Sequence, residues 1–296
     1  MKIFHAGDRL INKSIVMLGM FDGLHLGHMS LVRKALELKK REGLDAVLYT
    51  FDRNPKDYKK TLLSDADKTG ICEKYCIDGI YFERFDDDFR KMSVEDFIDK
   101  VIKGRLNAAF VVVGNNFHFG FKGAGTVRDL ENRDFGLFVM PELEIGGKTV
   151  SSSAVRSFLE DGDVKSAAEF LGYNYFLKGN VVHGRGVGRT FGICTANIEL
   201  SDEFVIPKDG VYATTIEFGG KSFESVTNIG KKPTFGDLDR TIEVHIPDFT
   251  GDIYDEEVRL VFLERIRGEI KFSSKEELAE QIEKDIDAAR CICKEG

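Results

Sequence analysis

The sequence predicts a doubly wound α/β domain, followed by a second domain that is an antiparallel β-barrel or sandwich with a C-terminal helix. Up to about Gly172, near-continuous apolar runs alternate with amphipathic stretches, the pattern of a parallel sheet covered by helices on both faces. Beyond Gly172, short runs rich in β-branched and aromatic residues are separated by Gly-Gly, Pro and Asp-rich turns. With 296 residues the chain is long enough for two domains, which we place at residues 1–172 and 173–296.

The elements of the first domain are predicted from the spacing of its apolar residues. Helices are expected from His28 to about Arg41 and around residues 94–102, where apolar residues recur at spacings of three and four. In a doubly wound sheet, ligands bind beyond the carboxyl ends of the strands, so the loop after the first strand is the expected site. The predicted strands lie at residues 15–20, 45–51, 79–85, 109–114 and 137–140.

The elements of the second domain are shorter and end in a helix. In that helix Ser274 and Glu277 have the spacing of a capping box, and Leu278, Ile282 and Ile286 form an apolar stripe. The predicted strands lie at residues 181–183, 211–218, 223–228, 241–246 and 258–263.

The composition is that of an ordinary globular protein, with 42% hydrophobic and 31% charged residues. The formal net charge of -8 argues against nucleic acid or an anionic membrane as the main partner. No apolar run approaches the roughly 18 residues of a membrane-spanning helix, and the first residues begin no signal peptide. The five cysteines match no standard zinc spacing, so we expect reduced thiols in a cytoplasmic protein.

The loop after the first predicted strand carries the clearest chemical motif. Residues 19–28 read GMFDGLHLGH, a turn that leads from a strand into a helix. Such a turn leaves backbone N–H groups and the positive end of a helix dipole free for phosphate. His25 and His28 lie three positions apart, so both rings can face one side and donate hydrogen bonds to phosphate oxygens. This is the HxGH arrangement of nucleotidyltransferases; the alternative is a loop with two surface histidines.

A second phosphate-binding element is predicted where Ser151, Ser152 and Ser153 open a helix, with Arg156 one turn further on. Arginine suits phosphate because its planar guanidinium makes two parallel hydrogen bonds. The serine hydroxyls, the helix N–H groups and Arg156 would together hold a triphosphate. The alternative is that the serines only cap the helix.

The second domain carries a separate set of candidates. A glycine-rich loop contains Gly184, Gly188 and Gly192; it opens no helix, so it is neither a dinucleotide fingerprint nor a P-loop, and turn formation is the alternative. Thr195 and Asn197 follow this loop. Their hydroxyl and amide oxygens are hard ligands that suit Mg²⁺ bridging nucleotide phosphates.

Glu243 lies in a predicted strand with an alternating pattern, IEVHI at residues 242–246. The alternation places Glu243 and His245 on one face of the strand and the aliphatic residues on the other. A carboxylate on the polar face of a barrel could take the proton from a hydroxyl that attacks a γ-phosphate. The alternative is a surface glutamate in an exposed strand.

With these motifs, nearly the whole chain resembles the bacterial bifunctional riboflavin kinase/FMN adenylyltransferase family, also called FAD synthetases. The resemblance implies a Rossmann-like nucleotidyltransferase domain followed by a β-barrel riboflavin kinase domain. It implies that the barrel phosphorylates riboflavin with ATP and Mg²⁺, giving FMN, and that the first domain joins FMN to the AMP part of a second ATP, giving FAD and pyrophosphate. The matching strings occur in the family order, at residues 19–28 (GMFDGLHLGH), 113–120 (VGNNFHFG), 150–156 (VSSSAVR), 195–197 (TAN), 209–212 (DGVY), 228–235 (NIGKKPTF), 242–246 (IEVHI) and 266–272 (IRGEIKF).

The resemblance also implies residue roles, carried over by position in these motifs. His25 and His28 are expected to steady the triphosphate and its transition state, and Glu243 is expected to be the base of the kinase. The residues expected to bind ATP in the adenylyltransferase domain are Gly19, Phe21, Asp22, Gly23, Asn116, Ser152, Ser153 and Arg156. Those expected to bind ATP in the kinase domain are Gly184, Gly188, Gly192, Thr195 and Asn197, the last two also at Mg²⁺. Those expected near the flavin are Asn116, Arg267 and Phe272.

One departure from the family pattern bears on activity. After the second strand the family usually has Pro-His-Pro, whereas this chain reads Arg53-Asn54-Pro55. The missing histidine is expected to contact ATP, and losing one preorganised donor costs roughly 10²–10³ in rate. Ser153 in place of the usual Thr, and Cys194 in place of a common Pro, remove no ligand.

The function expected from the sequence is therefore a bifunctional enzyme that uses riboflavin, FMN and ATP and releases FAD. One alternative is a riboflavin kinase with weak or lost adenylyltransferase activity. Another, from a different class, is a non-catalytic flavin-binding regulatory protein. We expect no nucleic-acid or membrane partner, and a monomer or a weak homo-oligomer.

Overall fold

The computed structural model describes residues 1–52, 60–183, 195–201, 203–231 and 240–295. The chain divides into two compact units, Met1–Ser152 and Ser153–Gly296. The domain boundary expected from the sequence at Gly172 stays a prediction. Within the described residues, no helix is both long and apolar enough to cross a membrane.

The first unit is built on a parallel sheet whose strand order is β1-β4-β3-β2-β5-β6. This confirms the predicted doubly wound α/β class. The edge strand β1 was not predicted, because it is short and largely exposed and so lacks an apolar run. The strands are β1 (Lys2–His5), β2 (Ser14–Leu18), β3 (Asp45–Phe51), β4 (Gly79–Glu83), β5 (Ala108–Gly114) and β6 (Gly136–Met140).

Helices of the first unit start and stop where the local chemistry requires. The first helix ends at Gly43, which takes the left-handed conformation (φ 68°) that favours glycine, and its last turn is basic, as suits the negative end of a helix dipole. The helix predicted around 94–102 is present, but most of it is wound as a π-helix. The helices are α1 (Leu26–Glu42), α2 (Asp65–Lys74), α3 (Asp87–Arg90) and α4 (Val94–Asp96), the last continuing as the π-helix Phe97–Arg105. A hairpin, β7 (Glu144–Ile145) with β8 (Lys148–Thr149), follows the sheet.

The second unit contains a closed barrel with strand order β10-β13-β12-β11-β14-β9, all pairs antiparallel. The structure thus decides for the barrel over the sandwich. Strand β10 was not predicted, because it has only five residues and includes polar ones. The elements are α5 (Ser152–Asp161), α6 (Val164–Leu171), β9 (Phe176–Val182), β10 (Thr195–Glu199), β11 (Gly210–Phe218), β12 (Lys221–Lys231), β13 (Arg240–His245), β14 (Glu257–Arg267) and α7 (Lys275–Glu295).

The barrel has a closely packed interior and an outer face that α7 partly covers. Along β13, Ile242 and Val244 are buried, while Glu243 and His245 are only half-buried, so these two side chains share the outer face as expected. Helix α7 packs on the outer face of β11 and β12, where Ala289 joins a small apolar cluster of the barrel strands. The functional candidates of this unit therefore lie outside the barrel core.

Candidate active sites

The loop between β2 and α1 is a sharp turn built by left-handed residues. Phe21 (φ 49°), Gly23 (φ 80°) and Leu24 (φ 40°) all have positive φ, which costs free energy for the two residues that carry side chains. Phe21 and Leu24 are fully buried, so the burial of their side chains offsets that cost. The turn brings His25 directly to the start of α1, where it caps the helix.

The two histidines of this loop lie against each other. Their ring centres are 3.6 Å apart with an interplanar angle of 19°, and the His28 backbone N–H donates to His25 Nδ1 at 3.3 Å. Because His25 Nδ1 is an acceptor, the proton of the neutral ring lies on Nε2. The Nδ1 atom of His28 is buried and has no hydrogen-bond partner among the described residues. Phe21 packs on the His28 ring with centres 5.0 Å apart.

Gly27, between the histidines, is fixed by their packing. A Cβ atom at this position would lie 3.1 Å from Nδ1 and Cε1 of His25 and 3.4 Å from the carbonyl oxygen of Val150. The two contacts with the His25 ring are tighter than ordinary van der Waals packing. The glycine of the H-x-G-H string therefore lets the two rings stack.

Burial keeps both imidazoles uncharged near neutral pH. Burial lowers the pKa of His25 to about 4, although a backbone hydrogen bond raises it slightly. The pKa of His28 lies well below its ordinary value, first because of burial and then because of repulsion from His25, when that ring is protonated, and from the Lys68 ammonium. The pair can thus donate N–H groups to a phosphate but brings no positive charge of its own.

Asp22 holds the loop to the rest of the first unit. Its buried carboxylate accepts hydrogen bonds from the Leu62 backbone N–H at 2.9 Å and from the Thr61 hydroxyl at 3.1 Å. Its carbonyl oxygen accepts from the Ser152 hydroxyl at 2.8 Å. The structure thus gives Asp22 and Ser152 a role in shaping the turn, which the sequence alone did not indicate.

A row of polar side chains crosses three strands on the outer face of the barrel. Asn197 on β10 is directly opposite Glu243 on β13, and Glu243 is directly opposite Asn228 on β12. Residues that face each other across antiparallel strands project on the same side, with Cβ atoms roughly 4.5–5.5 Å apart. Thr195, two residues before Asn197, lies on the same face opposite His245. The structure therefore brings Thr195, Asn197 and Glu243 together as predicted, and it adds Asn228.

Comparison with known proteins gives the family of both halves of the chain. A model of the FAD synthetase family matches residues 8–154, and a riboflavin kinase model matches residues 171–293. The chain is 37% identical over 287 residues to the bifunctional riboflavin kinase/FMN adenylyltransferase of Bacillus subtilis (strain 168), covering 92% of this chain and 90% of that one. The Haemophilus influenzae protein of the same name is 33% identical over 299 residues, covering 97% of each chain. This chain belongs to the bifunctional riboflavin kinase/FMN adenylyltransferase family.

A solved structure agrees over nearly the full length. It comes from Streptococcus pneumoniae and is described as a macrolide-efflux protein; it matches with a TM-score of 0.93 at 32% identity, covering 98% of this chain and 99% of that one. As a member of the family, the chain is an enzyme with both activities, and the adenylyltransferase half precedes the kinase half. The predicted family, fold class, enzyme class and function are confirmed. The alternative of a non-catalytic flavin-binding protein is wrong.

The oxygen donors of the family's kinase half fit a magnesium ion. Thr195 supplies a hydroxyl, Asn197 an amide oxygen and Glu243 a carboxylate on one face. Mg²⁺ in phosphoryl-transfer sites is held by one or two protein oxygens together with water and substrate phosphates. In the part of the chain that the structure describes, no group of three or more His, Cys, Asp or Glu forms a closed metal site, which is the expected case for such an open site.

Two of the expected flavin residues have protein partners in this structure. The Arg267 guanidinium makes a buried two-pronged ion pair with Asp285 of α7 at 2.7–3.1 Å, and Gln281 also donates to Asp285. The centre of the Phe272 ring lies 5.9 Å from the guanidinium carbon Cζ of Arg267. Arg267 therefore anchors α7 to β14, and flavin contact by Arg267 and Phe272 stays a prediction.

Each remaining candidate of the adenylyltransferase half can be placed within its own unit. Asn116 is exposed beyond the carboxyl end of β5, where its amide donates to Glu142 at 3.0 Å. Ser153 is exposed and Arg156 is buried in the first turns of α5. Gly19 packs against the Phe21 ring, which a Cβ would approach to 3.1 Å. Gly184, Gly188, Gly192, Arg53 and Asn54 lie outside the described residues.

Proposed function

We propose that each family reaction is carried out at its own site, adenylyl transfer at the β2–α1 turn and phosphorylation on the barrel, with FMN as the product of the barrel site and the substrate of the other. The observation that supports this is the presence of two unlike phosphate-handling arrangements. One is the stacked neutral imidazole pair at the β2–α1 turn, and the other is the row Asn197–Glu243–Asn228 on the barrel.

In the adenylyltransferase site, a phosphate oxygen of FMN attacks the α-phosphorus of ATP. The new O–P bond forms as the bond from the α-phosphorus to the bridging oxygen breaks, so pyrophosphate leaves with the electron pair. The Nε2–H of His25 and a ring N–H of His28 donate to oxygens on which negative charge develops. Donors that are already fixed before the reaction need no reorganisation, which is why such groups accelerate phosphate chemistry.

In the kinase site, Glu243 accepts the proton of the riboflavin 5′-hydroxyl. The hydroxyl oxygen then bonds to the γ-phosphorus of ATP as the bond to the β,γ-bridging oxygen breaks, and ADP leaves. Thr195 and Asn197 would hold Mg²⁺, which when bound neutralises charge on the β- and γ-phosphates. Asn228, beside Glu243, orients the carboxylate toward the substrate.

The sequence Arg53-Asn54-Pro55 motivates a second candidate, a kinase whose adenylyltransferase step is slow. Both candidates are tested by incubating the purified chain with riboflavin, ATP and Mg²⁺ and separating the flavins over time. The bifunctional enzyme gives FMN first and then FAD, at a turnover on the order of 0.1–10 s⁻¹ for each step. Accumulation of FMN with little FAD would favour the second candidate, and no FMN at all would overturn the kinase assignment.

We further propose that the protein acts in the cytoplasm as a monomer or a weak homo-oligomer without nucleic acid. The absence of a spanning helix in the described residues and the formal charge of -8 support this. Light scattering across a range of protein concentrations tests the oligomeric state. A concentration-independent mass of several chains would contradict it.

A further inference from the structure

The phosphate site of the adenylyltransferase half lacks a positive charge in its own loop. Residues 19–28 contain neither Lys nor Arg, and their one ionic side chain is the carboxylate of Asp22. Burial holds both histidines of the loop neutral near pH 7. A nucleoside triphosphate carries several negative charges, and such sites normally place a cation near the phosphates. A cation for this site therefore has to come from another element.

Lys68 on α2 is buried to an extent that is unusual for a lysine. Its side chain is only 6% exposed, and its ammonium makes an ion pair with Asp65, itself 45% exposed, at 3.1 Å. The ammonium also lies 5.7 Å from the centre of the Phe82 ring. Lysines are rarely buried unless paired, and one half-exposed carboxylate is a weak partner for so buried a charge. A buried cation of this kind is a candidate for binding an anion.

The contacts of Lys68 place its ammonium near the carboxyl ends of the sheet strands, the edge at which the HxGH loop also lies. Phe82, over which the ammonium lies, is near the carboxyl end of β4 and is directly opposite Thr50 of β3. The Thr50 hydroxyl in turn donates to the carbonyl oxygen of Met20 at 2.7 Å. A chain of contacts through Phe82 and Thr50 therefore links the ammonium to the loop.

The start of α2 is also tied directly to the loop. The ion pair with Asp65 holds the Lys68 ammonium at the first turn of α2. The residues just before that turn, Thr61 and Leu62, donate hydrogen bonds to the carboxylate of Asp22. The positive charge of Lys68 also contributes, after burial and His25, to the lowering of the pKa of His28.

We propose that the Lys68 ammonium binds the phosphate chain of the ATP that is consumed at the His25–His28 site. This inference rests on the proposed adenylyltransferase function of that site. Lys68 supplies the positive charge that the neutral imidazoles cannot, and it exchanges part of its ion pair with Asp65 for a phosphate oxygen. The same contact stabilises the pyrophosphate as it leaves.

The test uses the full-length chain and two readouts, the rate of FAD formation from supplied FMN and the affinity for inorganic pyrophosphate measured by calorimetry. Lys68→Met should lower kcat/KM for ATP in FAD formation and weaken pyrophosphate binding by about 10- to 100-fold, the usual range for a lost charge-assisted hydrogen bond. Lys68→Arg should stay within about fivefold of the wild type for pyrophosphate, because the charge is kept. Lys74→Met, which removes an exposed charge at the other end of α2, is the matched control and should change neither readout.

A second variant should change the pyrophosphate affinity in the opposite direction. Its result does not depend on whether Lys68→Met folds. Asp65→Asn removes the carboxylate that competes for the ammonium, so it should tighten pyrophosphate binding about threefold. Thermal unfolding followed by circular dichroism reports whether each variant is folded, since FMN formation reports only the barrel unit. Unchanged pyrophosphate affinity in Lys68→Met, equal losses in Lys68→Met and Lys68→Arg, or weaker binding in Asp65→Asn would each overturn the proposal. A wild-type chain that binds pyrophosphate but makes no FAD would instead count against the proposed function.

Discussion

The candidate sites of the two units of this enzyme are opposite kinds of surface. The site of the first unit is a buried turn in which backbone geometry and helix capping fix two neutral rings. The candidate residues of the second unit are half-exposed oxygen donors on the outer face of a barrel, and the register of three strands aligns them. The first arrangement therefore depends on local packing, whereas the second depends on pairing between residues distant in sequence. Variants that affect one kind of support should leave the other reaction intact.

The sharpest way to separate the two units is to remove the proposed base of the kinase. Glu243→Gln keeps the size of the side chain but cannot accept the hydroxyl proton, so FMN formation should fall roughly 10³-fold. FAD formation from supplied FMN should stay within about twofold, since Glu243 belongs to the other unit. Chromatography of the flavins measures both rates in one sample.

Glu257→Gln is the matched control, because it removes an exposed glutamate at the start of another barrel strand. It should change neither rate. Loss of both activities in a folded Glu243→Gln protein would contradict two separate sites.

The reciprocal variant acts on the first unit. His28→Ala removes one of the two fixed donors, so FAD formation from FMN should fall roughly 10²–10³-fold while FMN formation is retained. His5→Ala, which removes an exposed histidine of the same unit, is the control and should leave both rates unchanged. If His28→Ala slowed FAD formation less than about fivefold, the stacked pair would not be the catalytic feature of this unit.

The sequence predicted the location of both sites better than the partners of their residues. The strand–turn–helix pattern around His25 and His28 is local, so periodicity and motif spacing were enough to predict it. Asp22 was predicted to bind ATP, but its carboxylate accepts hydrogen bonds from Thr61 and Leu62, which lie about 40 residues away in the chain. A single sequence contains no signal for such a pairing.

The barrel shows the same limit. Alternation within 242–246 correctly placed Glu243 on the outer face, because strand faces follow from a period of two. Asn228 was missed as a neighbour, since it is set by the register between β12 and β13 and not by either strand alone. Arg267 was expected near the flavin, and its buried partner Asp285 lies on a helix that the sequence could not place against β14.

The ion pair between Arg267 and Asp285 offers a smaller test of how the outer face of the barrel is supported. Asp285→Asn removes the counter-charge of a guanidinium whose side chain is 17% exposed, which costs at most about 3–5 kcal/mol, the range for fully buried pairs. Urea unfolding followed by loss of FMN formation should therefore shift to a clearly lower midpoint. Glu283→Gln, an exposed change on the same helix, should not shift it. An unchanged midpoint in Asp285→Asn would show that α7 is held by its apolar contacts with the barrel alone.

The smallest expected effect concerns the pH dependence of stability in the first unit. The folded-state pKa of His25 is about 4, below its ordinary value of 6.5, and the side chain is 6% exposed. Below pH 6.5 the His25 ring is therefore protonated in the unfolded chain. In the folded chain the same ring stays neutral until the pH falls to about 4. The contribution of the neutral His25 ring to the free energy of unfolding is fully present above pH 6.5 and is lost as the pH falls from 6.5 toward 4. The free energy of unfolding should therefore fall by on the order of 2 kcal/mol between pH 7.5 and 5. His25→Asn keeps a capping acceptor but removes the titrating ring. Urea unfolding followed by circular dichroism should thus show a shallower pH slope in His25→Asn, and identical slopes would mean that His25 is already protonated or solvated in the folded protein.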